Sequence, residues 1–156
     1  MPKITPMLWF DGQAEEAAQF YTAIFKNSKI TATARYPEGS PASAGTVMTV
    51  AFELDGQGFT ALNAGALFKF NEAISFVVHC ETQSEVDEYW NKLLEGGTES
   101  QCGWLKDKFG VSWQITPDVL IEMLQDKDKQ KSQRAMNAML GMKKLDIAAL
   151  KKAYEG

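Results

Sequence analysis

Gly103-Trp104-Leu105-Lys106-Asp107-Lys108-Phe109-Gly110-Val111-Ser112-Trp113-Gln114-Ile115-Thr116-Pro117 is the stretch whose reading decides the fold. It predicts one strand, a tight turn with Gly110 at its end, and a second strand that Pro117 stops, because proline has no amide hydrogen to give to a ladder. Position 114 matters most. The second strand is expected to face an internal cavity, and the residue there is glutamine, not glutamate. A carboxylate at that point would serve a metal ion; a neutral amide serves one poorly.

Upstream of the hairpin, Ile74 to Cys80 reads as a strand. Thr82-Gln83-Ser84-Glu85 has the form of a capping box, in which the hydroxyl and the carboxylate satisfy orphan amides at a helix start. Val86, Tyr89, Trp90, Leu93 and Leu94 form one apolar stripe, and Gly96-Gly97 ends that helix. A short extended piece near Glu99 to Cys102 leads into the hairpin.

The N-terminal half, about 4–65, follows the same plan. Ile4 to Phe10 is extended and apolar, and Asp11-Gly12 breaks it. Ala17, Phe20, Tyr21, Ile24 and Phe25 fall at helical spacing within Ala14 to Phe25, with Glu15 and Glu16 in the first turn where the helix dipole favours negative charge. Lys29 to Tyr36 alternates as a strand, and Pro37 to Gly45 is a surface loop and candidate flap. Asp55-Gly56-Gln57-Gly58 joins the strands Thr46 to Leu54 and Phe59 to Asn63 as a hairpin. Each half, 4–65 and 74–117, therefore reads strand, helix, strand, strand, strand.

After Pro117 the pattern becomes helical. Asp118 to Gln125 is a helix, Lys127 to Lys131 a solvated charge run, and Gln133 to Met142 a helix with Met136, Met139, Leu140 and Met142 apolar. Asp146 caps a last helix, Ile147 to Tyr154. The methionine stripe is expected to pack on the sheet or on a partner subunit.

Composition bounds the function. The 156 residues suit a single domain of two halves plus a C-terminal extension, 118–156, and 45% apolar with 23% charged residues is a globular balance. A net charge of −4, with no basic cluster interleaved with aromatics, argues against nucleic acid. No apolar run is long enough for a membrane span, and Met1-Pro2-Lys3-Ile4-Thr5-Pro6 lacks the apolar core of a signal peptide. Cys80 and Cys102 have no metal-type spacing and read as reduced, buried thiols of a cytoplasmic protein.

Three blocks carry a resemblance: Ser84 to Leu93, Gly103 to Ile115, and Met142 to Leu150. Through them the chain resembles the PhnB-like (demethylubiquinone methyltransferase-like) members of the vicinal oxygen chelate superfamily, which includes glyoxalase I, extradiol dioxygenases and bleomycin-resistance proteins. The resemblance implies an α+β fold of paired βαβββ modules, with curved mixed sheets around a cleft, C-terminal helices and a homodimer. In the metal-using relatives, two histidines and two glutamates hold a divalent ion that chelates and polarises the substrate. Position by position, the resemblance places Thr5 and Ser75 where the histidines would stand and Gln114 where the last glutamate would. The remaining position falls near Leu62 or Asn63. None of these is a carboxylate or an imidazole, so no metal and no cofactor are expected.

The expected ligand cavity combines Thr5, Met7 and Trp9 from the first strand with Asn63, Ser75, His79, Trp104 and Gln114. Trp113 lies in the same hairpin, and Phe68 and Phe70 lie where they could lid the cavity. Apolar walls with a few neutral polar groups suit a small neutral or partly aromatic ligand. His79, the single histidine, shares a strand face with Ser75 and could act as a base, but a satisfied structural imidazole is the simpler expectation. Asp55 and Asp107 belong to turns, and Glu85 and Asp87 to a helix surface. Glu53 could point inward from its strand and is the one acid worth testing, but a solvent-facing strand residue is the simpler expectation.

Two functions from different classes follow. One is a metal-independent small-molecule binder. The other is a lyase, isomerase or dioxygenase with a non-standard metal site. Methyl transfer fits poorly, because a methyl-donor site needs a Gly-rich strand-to-helix turn; Gly12 stands alone and Gly96-Gly97 ends a helix.

Overall fold

The computed structural model describes residues 2–156 and contains eight strands and five helices. In chain order these are β1 (Met7–Phe10), α1 (Ala14–Ile24), β2 (Lys29–Arg35), β3 (Val47–Leu54), β4 (Gln57–Asn63), β5 (Ser75–Cys80), α2 (Gln83–Leu94), β6 (Thr98–Glu99), β7 (Trp104–Lys106), β8 (Ser112–Pro117), α3 (Asp118–Leu124), α4 (Lys129–Leu140) and α5 (Ile147–Glu155). They fall into two compact units, one ending at Lys69 and the other starting at Phe70. Each unit holds one βαβββ module.

The two sheets have the same topology. The first runs β1-β4-β3-β2 and the second β5-β8-β7-β6, each with one parallel pair (β1 with β4, β5 with β8) and antiparallel neighbours otherwise. The two sheets thus repeat one module in topology. The α+β, paired-βαβββ expectation holds.

Period-two alternation assigns each sheet a covered and an open face. In the first unit Leu8, Phe10, Val50, Phe52, Leu54, Phe59 and Ala61 are buried together with Ala14, Ala17, Ala18 and Tyr21 of α1. In the second, Cys80, Leu105, Trp113 and Ile115 are buried with Val86, Trp90 and Leu93 of α2. The residues between them on each strand make the open faces.

Local chemistry fixes the turns. Asp55 and Gly56 both take positive φ (48° and 80°), the signature of a two-residue type I′ hairpin that pairs Leu54 with Gln57. Thr82 accepts the amide of Glu85 at 3.2 Å, and the Glu85 carboxylate returns to the amide of Glu81 at 2.9 Å, so the capping box closes one residue further upstream than its usual form.

Several element edges differ from expectation. β1 begins at Met7 instead of Ile4, because Pro6 has no amide to donate; its carbonyl accepts the amide of Thr60 and the ladder starts one residue later. β6 is only Thr98–Glu99, since Cys102 turns into the left-handed region (φ 60°) and ends the extended run. α4 starts inside the charge run, at Lys129, because Asp128 caps the amides of Gln130 and Lys131.

Part of the methionine stripe packs within the C-terminal helices instead of on the sheet. Leu120, Met123, Ala135, Leu145 and Leu150 form a separate core among α3, α4 and α5, with Met139 and Met142 against it and Met136 and Leu140 exposed. This helical cluster is tied to the second sheet by backbone bonds from Cys102 to Met142 and from Gly103 to Lys143, and by Gln83, which bonds Leu145 O and the amide of Ile147.

Both cysteines are free thiols; Cys80 is buried and Cys102 only half-buried. Burial pushes the Cys80 thiol up to about 12, with the nearby Glu85 and Asp118 carboxylates adding to it. The fold therefore holds a proton that the unfolded chain releases above its ordinary value of 9.0. Stability from this group is intact below that pH and falls by about 1.4 kcal/mol per pH unit between the two values. Urea titrations at rising pH are expected to show this slope, and Cys80→Ala should remove it. A slope unchanged in Cys80→Ala would assign it elsewhere.

Candidate functional site

In the second unit the open face is carried by Ser75, Val77 and His79 of β5, Gln114 and Thr116 of β8, and Trp104 of β7. Register places Gln114 between Val77 on one side and Trp104 on the other. Its Nε2 donates to Ser75 Oγ at 2.9 Å, across the diagonal of the parallel pair. Val77 is 44% exposed, so the face is open around it, whereas Ser112 at its other end is buried. The expected grouping of Ser75, Gln114 and Trp104 is therefore present.

His79 lies further along β5, opposite Thr116, and its Nδ1 is 3.5 Å from Asp118 Oδ1 in an exposed pair. The imidazole thus lies beside the Asp118 carboxylate at the strand's end, where α3 begins. Trp113 points the other way. It is 3% exposed, packs on Phe76, and gives its Nε1–H to Asp107 at 2.9 Å.

In the first unit the open face carries Met7 (59% exposed) and Trp9 of β1, Thr60 and Leu62 of β4, and Thr49, Ala51 and Glu53 of β3. Trp9 is half-buried because Phe68 meets its ring edge-on at 4.9 Å and Gly65 O accepts its Nε1–H at 2.8 Å. Phe68 thus covers part of this face, as the reading of that segment expected. Thr5 precedes the strand and is exposed.

Asn63 departs from the expected cavity. Strand alternation turns it to the covered side, where its Oδ1 accepts the Ala14 amide at 2.9 Å and its Nδ2 donates to Val47 O at 3.1 Å. Gln13 supplies no side-chain cap to α1, so Asn63 does that work from a distant strand. It also borders a cleft of about 920 Å³ with Gly12, Glu15, Arg35, Tyr36 and Thr46.

The module repeat gives each residue of one sheet a counterpart in the other. Thr5 precedes the strand-end Phe10 by the same interval that separates Ser75 from Cys80, and Met7 pairs with Thr60 as Val77 pairs with Gln114. The counterpart of Gln114 is therefore Thr60, not Leu62 or Asn63. Register across the parallel pair carries this information, and sequence alone does not print it.

At the positions that the resemblance picks out stand Thr5, before β1, and Thr60 in the first unit, and Ser75 and Gln114 in the second. These are hydroxyls and one amide, and the amide already uses a hydrogen toward Ser75. A divalent ion needs charged or imidazole donors, and this set does not fit it. Among the described residues no three His, Cys, Asp or Glu side chains come together as a metal cluster. Glu53 is half-buried on the open face of the first sheet, so the acid singled out for testing does point that way.

Sequence reasoning placed Asp107 in a turn but missed its reach. It is 3% exposed and also binds the indole of Trp113. An aspartate before a Gly-ended turn, with tryptophan on the returning strand, was the available signal.

A family model described as 3-demethylubiquinone-9 3-methyltransferase matches residues 2–116, about three-quarters of the chain. The chain belongs to this family. A PhnB protein from Bacillus cereus is 41% identical over 74% of this chain and 99% of that one, with a TM-score of 0.68. A protein from Pseudomonas aeruginosa shares the fold at 20% identity and a TM-score of 0.63, covering 75% of this chain and 98% of its own. So does the fosfomycin resistance protein FosX from Listeria monocytogenes, solved with Mn(II) and sulfate, at 15% identity and 0.55, covering 80% and 98%. No curated protein matches the chain. These likenesses bear out the PhnB-like family and its fold. The match to the family model stops before α3, so the C-terminal helices lie outside it, although Met142 to Leu150 had been counted with the resemblance. No helix among the described residues is long and apolar enough to cross a membrane.

Proposed function

We propose that the chain is a small-molecule-binding protein that uses the open sheet faces of this fold without a resident metal. The observation that carries the reading is the Gln114 Nε2–Ser75 Oγ hydrogen bond of 2.9 Å beside Trp104. Side chains at metal-ligand positions are spent on each other, and what remains is a neutral polar spot next to an indole. Such a spot suits a ligand held by stacking and hydrogen bonds.

Protein purified without chelators is expected to carry sub-stoichiometric divalent metal, and its tryptophan emission should quench saturably with members of a fragment library. Gln114→Ala should keep the unfolding midpoint within about 1 kcal/mol of wild type, because a half-exposed amide is replaced, while weakening the bound fragments about tenfold. Large destabilisation with unchanged binding would make Gln114 structural. Stoichiometric metal would favour the second reading, an enzyme of lyase, isomerase or dioxygenase type, to which Glu53 lends the one strand carboxylate on these faces.

Methyl transfer has little support beyond the family description. The β1–α1 connection contains one glycine, Gly12, and Gly96-Gly97 closes α2, so no Gly-rich phosphate or methyl-donor turn is offered. The active form is a homodimer in the cytoplasm, with exposed Met7, Ile74 and Val77 covered by the second copy. Sedimentation of a Val77→Lys variant as monomer, against a wild-type dimer, tests the assembly.

A further inference from the structure

Ser112 sits directly opposite Ser75 in the parallel pair and two positions before Gln114, so all three share the open face of the second sheet. Ser112 is 1% exposed, and its Oγ has no hydrogen-bond partner among the described residues. A buried hydroxyl without a partner is costly, and native proteins retain one where something else satisfies it. Its cross-strand neighbour on the other side, Lys106, does not serve it, because the Lys106 ammonium pairs with Glu72.

The polar arithmetic of this patch is independent of how the Gln114 amide is oriented. If Nε2 donates to Ser75, the pair still presents the Gln114 carbonyl as acceptor and the Ser75 hydroxyl hydrogen as donor. If the amide is turned over, Ser75 donates to it, and the pair presents an amide hydrogen and a hydroxyl lone pair. Either way one donor and one acceptor stand side by side, with the Ser112 hydroxyl a third group able to act as either. On this face the Lys106 ammonium is engaged with Glu72, and the His79 imidazole lies beside Asp118. A carboxylate would bring acceptors only and meet no free cation; an ammonium would bring donors only and meet no free anion.

We infer that the Ser75–Gln114–Ser112 patch takes a neutral ligand bearing a hydrogen-bond donor and acceptor on adjacent atoms, a primary carboxamide or a hydroxyl beside a carbonyl, with a flat apolar body laid against Trp104. This rests on the binding reading above and names the ligand class for it. Ser112 is the deepest of the three groups, and contact with it requires the side chains around it, its cross-strand neighbour Lys106 among them, to yield.

Benzamide, benzoate and benzylammonium are isosteric probes of this rule. Titrated into the full-length protein and followed by amide and indole resonances, benzamide is expected to shift Gln114 Nε2 and Trp104 Nε1, and to bind at least tenfold tighter than either ion. Ser112→Ala should weaken benzamide about tenfold, the loss of one hydrogen bond, while raising the melting temperature because the stranded hydroxyl is gone. That opposition separates a ligand-binding hydroxyl from a structural one. A lower melting temperature in Ser112→Ala would mean that ordered water already serves the hydroxyl, and would overturn the inference. Benzoate binding as tightly as benzamide would overturn the ligand class and leave the binding reading standing. Silence from all three probes would also overturn the class; the wider reading falls only if the fragment library is silent too.

Discussion

Asp107→Ala is expected to lower stability by about 4 kcal/mol, near the upper end of single-residue effects. The Asp107 carboxylate is buried and accepts three hydrogens: from the amides of Phe109 (2.9 Å) and Val111 (3.0 Å) at Oδ1, and from the indole of Trp113 (2.9 Å) at Oδ2. Alanine strands the Val111 and Trp113 donors in places that are each 3% exposed, at about 1–3 kcal/mol apiece, and adds a small void. Phe109 is less buried and recovers water. Asp107→Asn should cost about half as much, since its oxygen still serves the two amides while its NH₂ confronts the Trp113 N–H. Combining Asp107→Asn with Trp113→Phe should cost less than the sum of the single changes, because the conflict disappears. Urea unfolding of the four proteins measures all of this. A loss below about 1 kcal/mol for Asp107→Ala would show that the turn holds without its carboxylate.

The consequence for the candidate site is one of register. Trp113 and Gln114 are adjacent, so one faces the helix and the other the open side. A slip of one residue in β8 would bury the amide and expose the indole. By fixing Trp113 from within the turn, Asp107 decides which side Gln114 takes, and so places it 2.9 Å from Ser75.

The element order was legible because the chain switches cleanly between periods of 2 and 3.6, and because Asp55-Gly56 and the Thr82–Glu85 box print their turns in the residues themselves. Ser75, Gln114 and Trp104 were brought together correctly for the same reason: alternation and one hairpin fix their face. Asn63 was not legible. Its direction depends on a strand end meeting the α1 N-terminus, and the shortage it fills, a missing side-chain cap at Gln13, lies 50 positions away. Thr60 escaped because its equivalence to Gln114 exists only in the β1–β4 register. The orphaned Ser112 hydroxyl could not be read at all, since burial is set by packing and not by the serine itself.

The two glycines after α2 show the same boundary between what is printed and what is folded, and they give the second large effect. Gly96 takes φ 73°, following Glu95 at φ −54°, ψ 117°, and the amide of Gly97 returns to Leu94 O at 2.7 Å, as in a type II turn. Gly96→Ala is strained by conformation and should cost about 1 kcal/mol, with the Lys108 Cβ, 3.1 Å from the new methyl, having to give by a few tenths of an ångström. Gly97 needs no left-handed backbone; its constraint is space. A Cβ there would sit 2.1 Å from the Lys106 carbonyl oxygen and 3.0 Å from the Asp107 backbone, atoms that cannot rotate away. Gly97→Ala should therefore cost about 3–4 kcal/mol, more than its conformationally strained neighbour. Because it pushes on the residue whose carboxylate pins Trp113, its cost should overlap with that of Asp107→Asn, while Gly96→Ala with Asp107→Asn should add. Equal costs for the two glycines, or full additivity for Gly97, would separate the α2 exit from the hairpin that carries Gln114. The expected overlap instead makes the close approach at Gly97 part of what holds the amide in place.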